Sequence, residues 1–211
     1  MTAATIPAPV TLRGRHIRLE PLARRHLADL FAAGGGDDEL WRWQGGPTPR
    51  TERELGDKLD AMLVAADCGE LVAFAVVHLG PVDKAIGWTC YMDIDVDHER
   101  LEIGWTWYGQ AYWRTTVNTE AKLLLLTHAF EQLGMGRIQL KTDHMNLRSQ
   151  AAISRLGAMR EGVLRRHKRR HDGTWRDTVY FSILKEEWPT AKKRLLQRLD
   201  GETGPDKALA G

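Results

Sequence analysis

The chain has 211 residues but only two cysteines, Cys68 and Cys90, in unrelated surroundings and with no CxxC spacing. That pattern excludes a disulfide framework or a cysteine-based metal site, and no cysteine has a context that favours an acyl-enzyme. Eight histidines are scattered without an HxxxH or HExxH arrangement, so no metal is expected. No apolar run approaches the ~18 residues of a membrane span, and no secretory apolar segment opens the chain. A reduced cytoplasm is therefore the expectation. Charge of one sign is lacking too: 30 Lys and Arg against 28 Asp and Glu leave +2, too little to argue for a nucleic-acid partner. Phe and Tyr number four each, whereas tryptophan reaches eight, so some indoles are expected to line a cavity. No repeat and no linker divides the chain, and its length suits one domain with a full core.

What is there is organised around residues 101–133, LEIGWTWYGQAYWRTTVNTEAKLLLLTHAFEQL. Its period changes in the middle. Leu101, Ile103, Trp105 and Trp107 alternate with Glu102, Gly104 and Thr106, which predicts a half-buried strand. Ala121, Leu124, Leu125, His128 and Ala129 then follow helical spacing, with Asn118 as the expected N-cap and Gly134 as the terminator. The polar turn between them carries Arg114, Thr115 and Thr116. A strand–turn–helix aims free backbone N–H groups and the positive end of a helix dipole at one point, an arrangement suited to phosphate.

The flanking segments read more simply. Residues 1–10 are expected to be mobile. Strands are predicted over 12–22, 71–79, 84–92, 137–142, 158–164 and 178–184, and helices over 23–33, 51–66 and 146–156. Thr51 with Glu54 forms a capping box. Residues 40–49 read as an aromatic loop holding Trp41 and Trp43. Asp93, Asp95 and Asp97 form an acidic turn that lacks the glycine and closing glutamate of a calcium loop. Residues 165–176 read as a basic connection, and 189–211 as a basic helix followed by a disordered tail.

Three further motifs stand beside the central stretch: T-E-A at Thr119–Ala121, N-x-x-S…L-G at Asn146–Gly157, and D-T-V-Y-F-S-I-L at Asp177–Leu184. With them, residues 12–188 resemble the Gcn5-related N-acetyltransferase (GNAT) superfamily, in particular its RimJ/RimL-like branch of ribosomal-protein N-acetyltransferases. The resemblance implies an α+β fold with a GNAT domain over residues 11–188. Its mixed, mostly antiparallel central sheet would be flanked by helices, and two parallel strands would splay apart to admit CoA. By the same resemblance, the main chain of Thr106, Trp107 and Tyr108 meets the thioester. Arg114, Thr115, Thr116, Val117, Asn118 and Thr119 cradle the pyrophosphate, and Asn146 contacts CoA. The chain departs from the family pattern at Thr116 and Asn118, where small residues are usual and glycine permits close backbone approach. It departs again at Ile153, where many relatives carry a proton-donating tyrosine. Ser149, one turn earlier, is the candidate replacement.

Glu102 is the candidate base, and Trp41 with Trp43 the candidate wall of the acceptor site. The expected activity is transfer of an acetyl group from acetyl-CoA directly to a primary amine in a ternary complex. An α-amine of pKa about 8 is partly neutral at pH 7, whereas a lysine of pKa about 10.4 needs a stronger base. Rival readings are another donor such as succinyl-CoA, a small-molecule amine as acceptor, and a CoA-binding protein without turnover. A ribosome-associated protein using residues 165–170 and 192–198 is a further rival. The expected partners are the CoA thioester and the amine, with neither nucleic acid nor membrane, and the chain is expected to be a monomer or homodimer.

Overall fold

The computed structural model describes residues 3–202; of the disordered end expected over 201–211, Gly201 and Glu202 belong to the last helix and residues 203–211 lie outside the described residues. Eight strands form one sheet: β1 Leu12–Arg13, β2 Ile17–Pro21, β3 Leu71–His78, β4 Lys84–Asp95, β5 Arg100–Tyr108, β6 Arg137–Asp143, β7 Met159–Arg169 and β8 Trp175–Leu184. Their order across the sheet is β1-β2-β3-β4-β5-β6-β8-β7. Neighbours are antiparallel throughout, except for the parallel pair β5 and β6.

Helices cover both faces, which is why β3 is buried from Leu71 to Val77 with no polar alternation. Helices α1 Leu27–Gly34, α2 Asp38–Trp41 and α3 Glu52–Asp67 bury Leu30, Trp41, Leu55 and Leu59 against Ala75, Trp88 and Trp107. Helices α4 Thr116–Thr127, α5 Leu147–Arg155 and α6 Trp188–Glu202 close the other face. There Leu125, Ile153 and Leu195 meet Phe74, Tyr91, Ile138 and Phe181. The basic helix α6 docks through Trp188, Ala191, Leu195 and Leu199, with Trp188 stacked on Phe130 at 5.5 Å.

Local chemistry starts these helices where the chain provides a cap. Thr51 accepts from Glu54 N, and Glu54 Oε2 accepts from Thr51 N, both at 3.2 Å, so α3 opens with the expected capping box. Where a loop was expected around residue 40, Asp37 accepts from Leu40 N at 3.0 Å and starts the short helix α2. Helix α4 begins at Thr116 with Thr115 as N-cap, ahead of the expected Asn118, because the Thr115 hydroxyl accepts from Val117 N. Gly134 stops the following turn with φ of 73°, as expected.

Three strand readings are corrected. The first strand is two strands broken at Gly14–His16, where the buried Glu120 carboxylate accepts from the backbone N–H groups of Arg15 and His16. Gly14 is required at this turn, since a Cβ there would run into Glu120. The basic connection is largely strand: β7 and β8 extend through it at the sheet edge, and Arg166 and Arg169 stack on Trp175 at 4.6 and 4.8 Å.

The third correction concerns β5, whose alternation holds only to Ile103. Cys90 pairs with Gly104 and Trp88 with Trp107, so Thr89 alone faces both Trp105 and Thr106. The extra residue is a β-bulge, and it reverses every side chain beyond it. Trp105 takes φ of 48° and is 49 % exposed, instead of lying inward. Trp107 joins the core on the α1–α3 side, whereas Leu101 and Ile103 belong to the opposite one. Glu102 and Thr106, read as one polar face, therefore lie on opposite faces of the sheet.

The Gly14–Glu120 contact yields a stability prediction. Glu120→Ala leaves the partly buried backbone donors of Arg15 and His16 without their carboxylate and is expected to lower unfolding free energy by about 1 kcal/mol. Gly14→Ala is expected to destabilise in the same direction. Urea titration checks both, with a lower midpoint and an unchanged slope as the expected result.

Candidate active site where two strands part

The parallel ladder between β5 and β6 contains only three residue pairs, Arg100↔Arg137, Leu101↔Ile138 and Glu102↔Gln139. Beyond Glu102, β5 stays with β4 as far as Tyr108, while β6 follows β8 to Asp143. The bulge at Trp105 and Thr106 adds local twist where the two strands separate. One edge of β5 is thus left without a neighbouring strand. Side chains supply donors there: Gln44 Nε2 donates to Thr106 O at 3.1 Å and Trp113 Nε1 to Tyr108 O at 2.8 Å.

On the α4 face, behind this edge, lies Lys122. It is 5 % exposed, and its Nζ donates to Thr106 Oγ1 at 2.8 Å, with Thr89 Oγ1 at 3.5 Å. The two threonine hydroxyls are themselves bonded at 2.7 Å. Among the described residues no carboxylate forms an ion pair with Lys122, and burial brings its pKa down to about 7. Burial likewise pushes the Cys90 thiol up to about 12, which suits an inert core cysteine.

The opposite face carries a different set. Glu102 is 2 % exposed, and its Oε2 accepts from Lys141 Nζ at 2.6 Å and Gln139 Nε2 at 2.9 Å. Burial lifts the Glu102 carboxyl above its ordinary range, although Lys141 and Gln139 pull the other way. Burial also opposes the charge on Asp93, but Lys141, 3.2 Å away, holds that carboxyl below its ordinary value. The acidic turn is a hairpin turn in which Asp95 is bonded to His98 and Arg100.

The turn from Gly109 leads into α4 through a 3-10 segment at Gln110–Tyr112 and through Arg114, whose φ is 63°. Thr115 Oγ1 donates to Tyr112 O at 2.7 Å, and the positive end of the α4 dipole lies at this point. Asn146 caps α5 by accepting from Ser149 N at 3.0 Å. Arg148, next along α5, stacks at 3.5 Å over Trp113 and reaches Glu39 at 3.3 Å. The start of α5, which carries Asn146 and Ser149, is thereby tied to the turn that carries Arg114 and Thr115.

Other expected site residues sit deeper. Val117 and Thr119 are buried, while Thr116 and Asn118 are half-buried. Trp107 and Tyr108 are buried at the β5 edge, and neither the Trp107 Nε1 nor the Tyr108 hydroxyl has a partner among the described residues. Trp41, expected at an acceptor wall, is 3 % exposed and packs at 5.4 Å on Trp107 and 5.9 Å on Trp88. Its Nε1 donates to Gly34 O at 2.7 Å, so it is a core residue. Trp43 is half-buried, with Arg42 over its ring at 5.0 Å. Sequence reasoning missed Lys122, Lys141 and Gln139. A lysine inside an otherwise apolar helix stripe was the available signal for Lys122. Among the described residues no group of His, Cys, Asp and Glu is arranged to hold a metal ion.

Comparison with known proteins agrees with this geometry. A family model described as Acetyltransferase (GNAT) domain matches residues 16–159. A GCN5-related N-acetyltransferase from Brucella melitensis is 31 % identical, with a TM-score of 0.88 over 99 % of this chain and 93 % of that one. The Bacillus subtilis (strain 168) protein named "Putative ribosomal N-acetyltransferase YdaF" is 32 % identical over 105 residues, 47 % of this chain and 54 % of its own length. The chain thus matches about half the length of that curated relative. Mycobacterium smegmatis RimJ, solved with CoA-disulfide, has a TM-score of 0.76 and 22 % identity over 90 % of this chain and 95 % of its own, a likeness of fold.

Lys122 predicts a pH dependence. Its folded pKa of about 7 lies below the ordinary 10.5, so between these values the unfolded chain binds more protons than the folded one. Stability therefore rises with pH across this window. Lys122→Met is expected to flatten that rise, by up to about 1.4 kcal/mol per pH unit. Urea midpoints of both proteins between pH 7 and the ordinary thiol value of 9.0 check it, below the range where Cys90 contributes.

Proposed function

Because the chain belongs to the GNAT acetyltransferase family, we propose that it transfers an acetyl group from acetyl-CoA directly to a primary amine. The carrying observation is the parting of β5 and β6 after Glu102, which leaves a β5 edge free beside the start of α4. The thioester arm lies along that edge, and a backbone N–H of the Thr106–Tyr108 segment polarises its carbonyl. The pyrophosphate is met by the α4 N-terminus, with Arg114, Thr115 and Thr116 at the turn and Asn146 across from them. Side chains at Thr116 and Asn118 keep the backbone further from the phosphate than glycine would, and the Thr116 hydroxyl compensates in part, since that of Thr115 is already given to Tyr112 O. Supporting this reading, the fold is shared with a protein solved with CoA-disulfide.

Holding both substrates in line supplies much of the rate. The amine must lose a proton as it attacks, and Glu102, buried and raised above its ordinary pKa, takes it directly or through water. Its lone pairs already meet Lys141 and Gln139, so the carboxylate is held in one orientation. The departing thiolate is protonated beside Ser149, a modest contribution given a thiol pKa of about 8.5. The likeness to a ribosomal-type relative favours a protein α-amine as the acceptor.

Two outcomes test this reading. Coenzyme A is expected to raise the melting temperature with ligand concentration, by about 2.7 kcal/mol of added stability at a hundred times Kd. No shift at millimolar CoA would sink the proposal. Glu102→Gln keeps the shape of the side chain but removes the base, so kcat is expected to fall about a hundredfold at neutral pH. Part of the loss returns as pH rises and the amine deprotonates unaided. A pH–rate profile with one good acceptor checks it, and an unchanged acidic limb would remove Glu102 from the mechanism.

A further inference from the structure

The face of the sheet that carries Glu102 holds more positive charge than it pairs. Lys168 of β7 stands directly opposite Arg176 of β8. Like charges in that position repel. Among the described residues neither side chain has an ion-pair partner, and the hydrogen bond that Arg176 makes runs from Nε to Thr178 Oγ1 at 3.0 Å. The same buried hydroxyl meets His167 Nδ1 at 3.0 Å, which fixes the strand pair while leaving the outer guanidinium nitrogens free. Lys141 adds a third cation to this face, paired with Glu102 and Asp93.

Asp143 also acts on Arg176 but is itself paired with Arg170, so the face holds four cations, Lys141, Lys168, Arg170 and Arg176, against three carboxylates, Glu102, Asp93 and Asp143, and burial raises the pKa of Glu102. Partial desolvation by its neighbours, then Lys141 and Arg176, lower the pKa of Lys168, with Glu102 and Asp93 offsetting only part. Burial is the main cause of the lowered pKa of Arg176. Repulsion of this kind is relieved by an anion. An arginine fork beside a lysine point charge suits a carboxylate, which the first grips in two bonds and the second attracts.

We propose that Lys168 and Arg176 form an anion subsite for the acceptor, so that the preferred substrates are amines carrying a carboxylate close to the reacting nitrogen. An N-terminal peptide with an acidic second residue has this chemistry. The inference rests on the amine-acetylation reading and names its substrate class. The acceptor is the partner in question because Glu102 shares this face, whereas α4, where the pyrophosphate is placed, packs on the other.

The test uses the full chain, saturating acetyl-CoA and thiol release, with two peptides that differ only as Asp or Asn at the second residue. The Asp peptide is expected to have the higher kcat/KM by about tenfold, the size of a charge-assisted contact. Lys168→Glu, at an exposed position, is expected to raise KM for the Asp peptide about tenfold more than KM for the Asn peptide and to leave KM for acetyl-CoA unchanged. Arg176→Gln is expected to act in the same direction. Equal use of both peptides by the wild type, or equal losses on both in Lys168→Glu, overturns the subsite. A raised KM for acetyl-CoA assigns the cations to the donor and overturns it as well. If neither peptide is acetylated, the transfer reading fails separately, and calorimetric binding of the two peptides to wild type and Lys168→Glu still decides the subsite.

Discussion

Three residue pairs of parallel ladder decide what this molecule has to offer a ligand. Parallel strands covered by helices on both sides ordinarily zip along their whole length, because an unpaired backbone group away from water is costly. Here the zip stops at Glu102 and Gln139, and the bulge at Trp105 and Thr106 turns β5 onto a different course. The carbonyls of Thr106 and Tyr108 are then satisfied by Gln44 and Trp113. The gap between the strands follows from incomplete pairing, and side chains from outside the sheet satisfy its edge.

The bulge also sorts charge between the two faces. Lys141 sits among carboxylates, and although burial works against its ammonium, Glu102 and Asp93 hold the pKa above its ordinary value. Lys122, behind the same sheet, has hydroxyls for company and is driven the other way. Two lysines with one intrinsic chemistry thus differ in protonation behaviour because the extra residue in β5 turns Thr106 toward one and leaves Glu102 beside the other. The face of Glu102 holds its lysine charged, whereas the α4 face works against the charge of Lys122.

The fold was legible because its long elements have strong periods: the apolar run of β3, the Thr51 capping box and the stripe of α4 each announce themselves. Resemblance supplied the splay, which no spacing in the chain encodes. The errors share one origin, which is tertiary contact over a long separation. Nothing near residues 12–22 shows that Glu120 will break that strand, and nothing near Trp105 shows that Thr89 will face two residues. Trp41 was read as a wall because it sits in an aromatic segment that looks like a loop, yet Trp88 and Trp107 claim it for the core. Lys141 and Gln139 were invisible for a similar reason, since only the register of β6 against β5 brings them to Glu102.

The carboxylate of Glu120 closes a turn more than a hundred residues upstream of itself. Synthesis runs from the N-terminus, so β1 and β2 emerge long before the group that shapes the bend between them. Strand β2 also pairs with β3, itself some fifty residues later. The bend between the first two strands is consequently completed only after residue 120 has emerged, and until β3 follows they depend on remaining soluble as unpaired segments. Arg13, Arg15 and Arg18, with Gly14 among them, give that waiting stretch charge and flexibility, features that keep an exposed strand edge from finding the wrong partner.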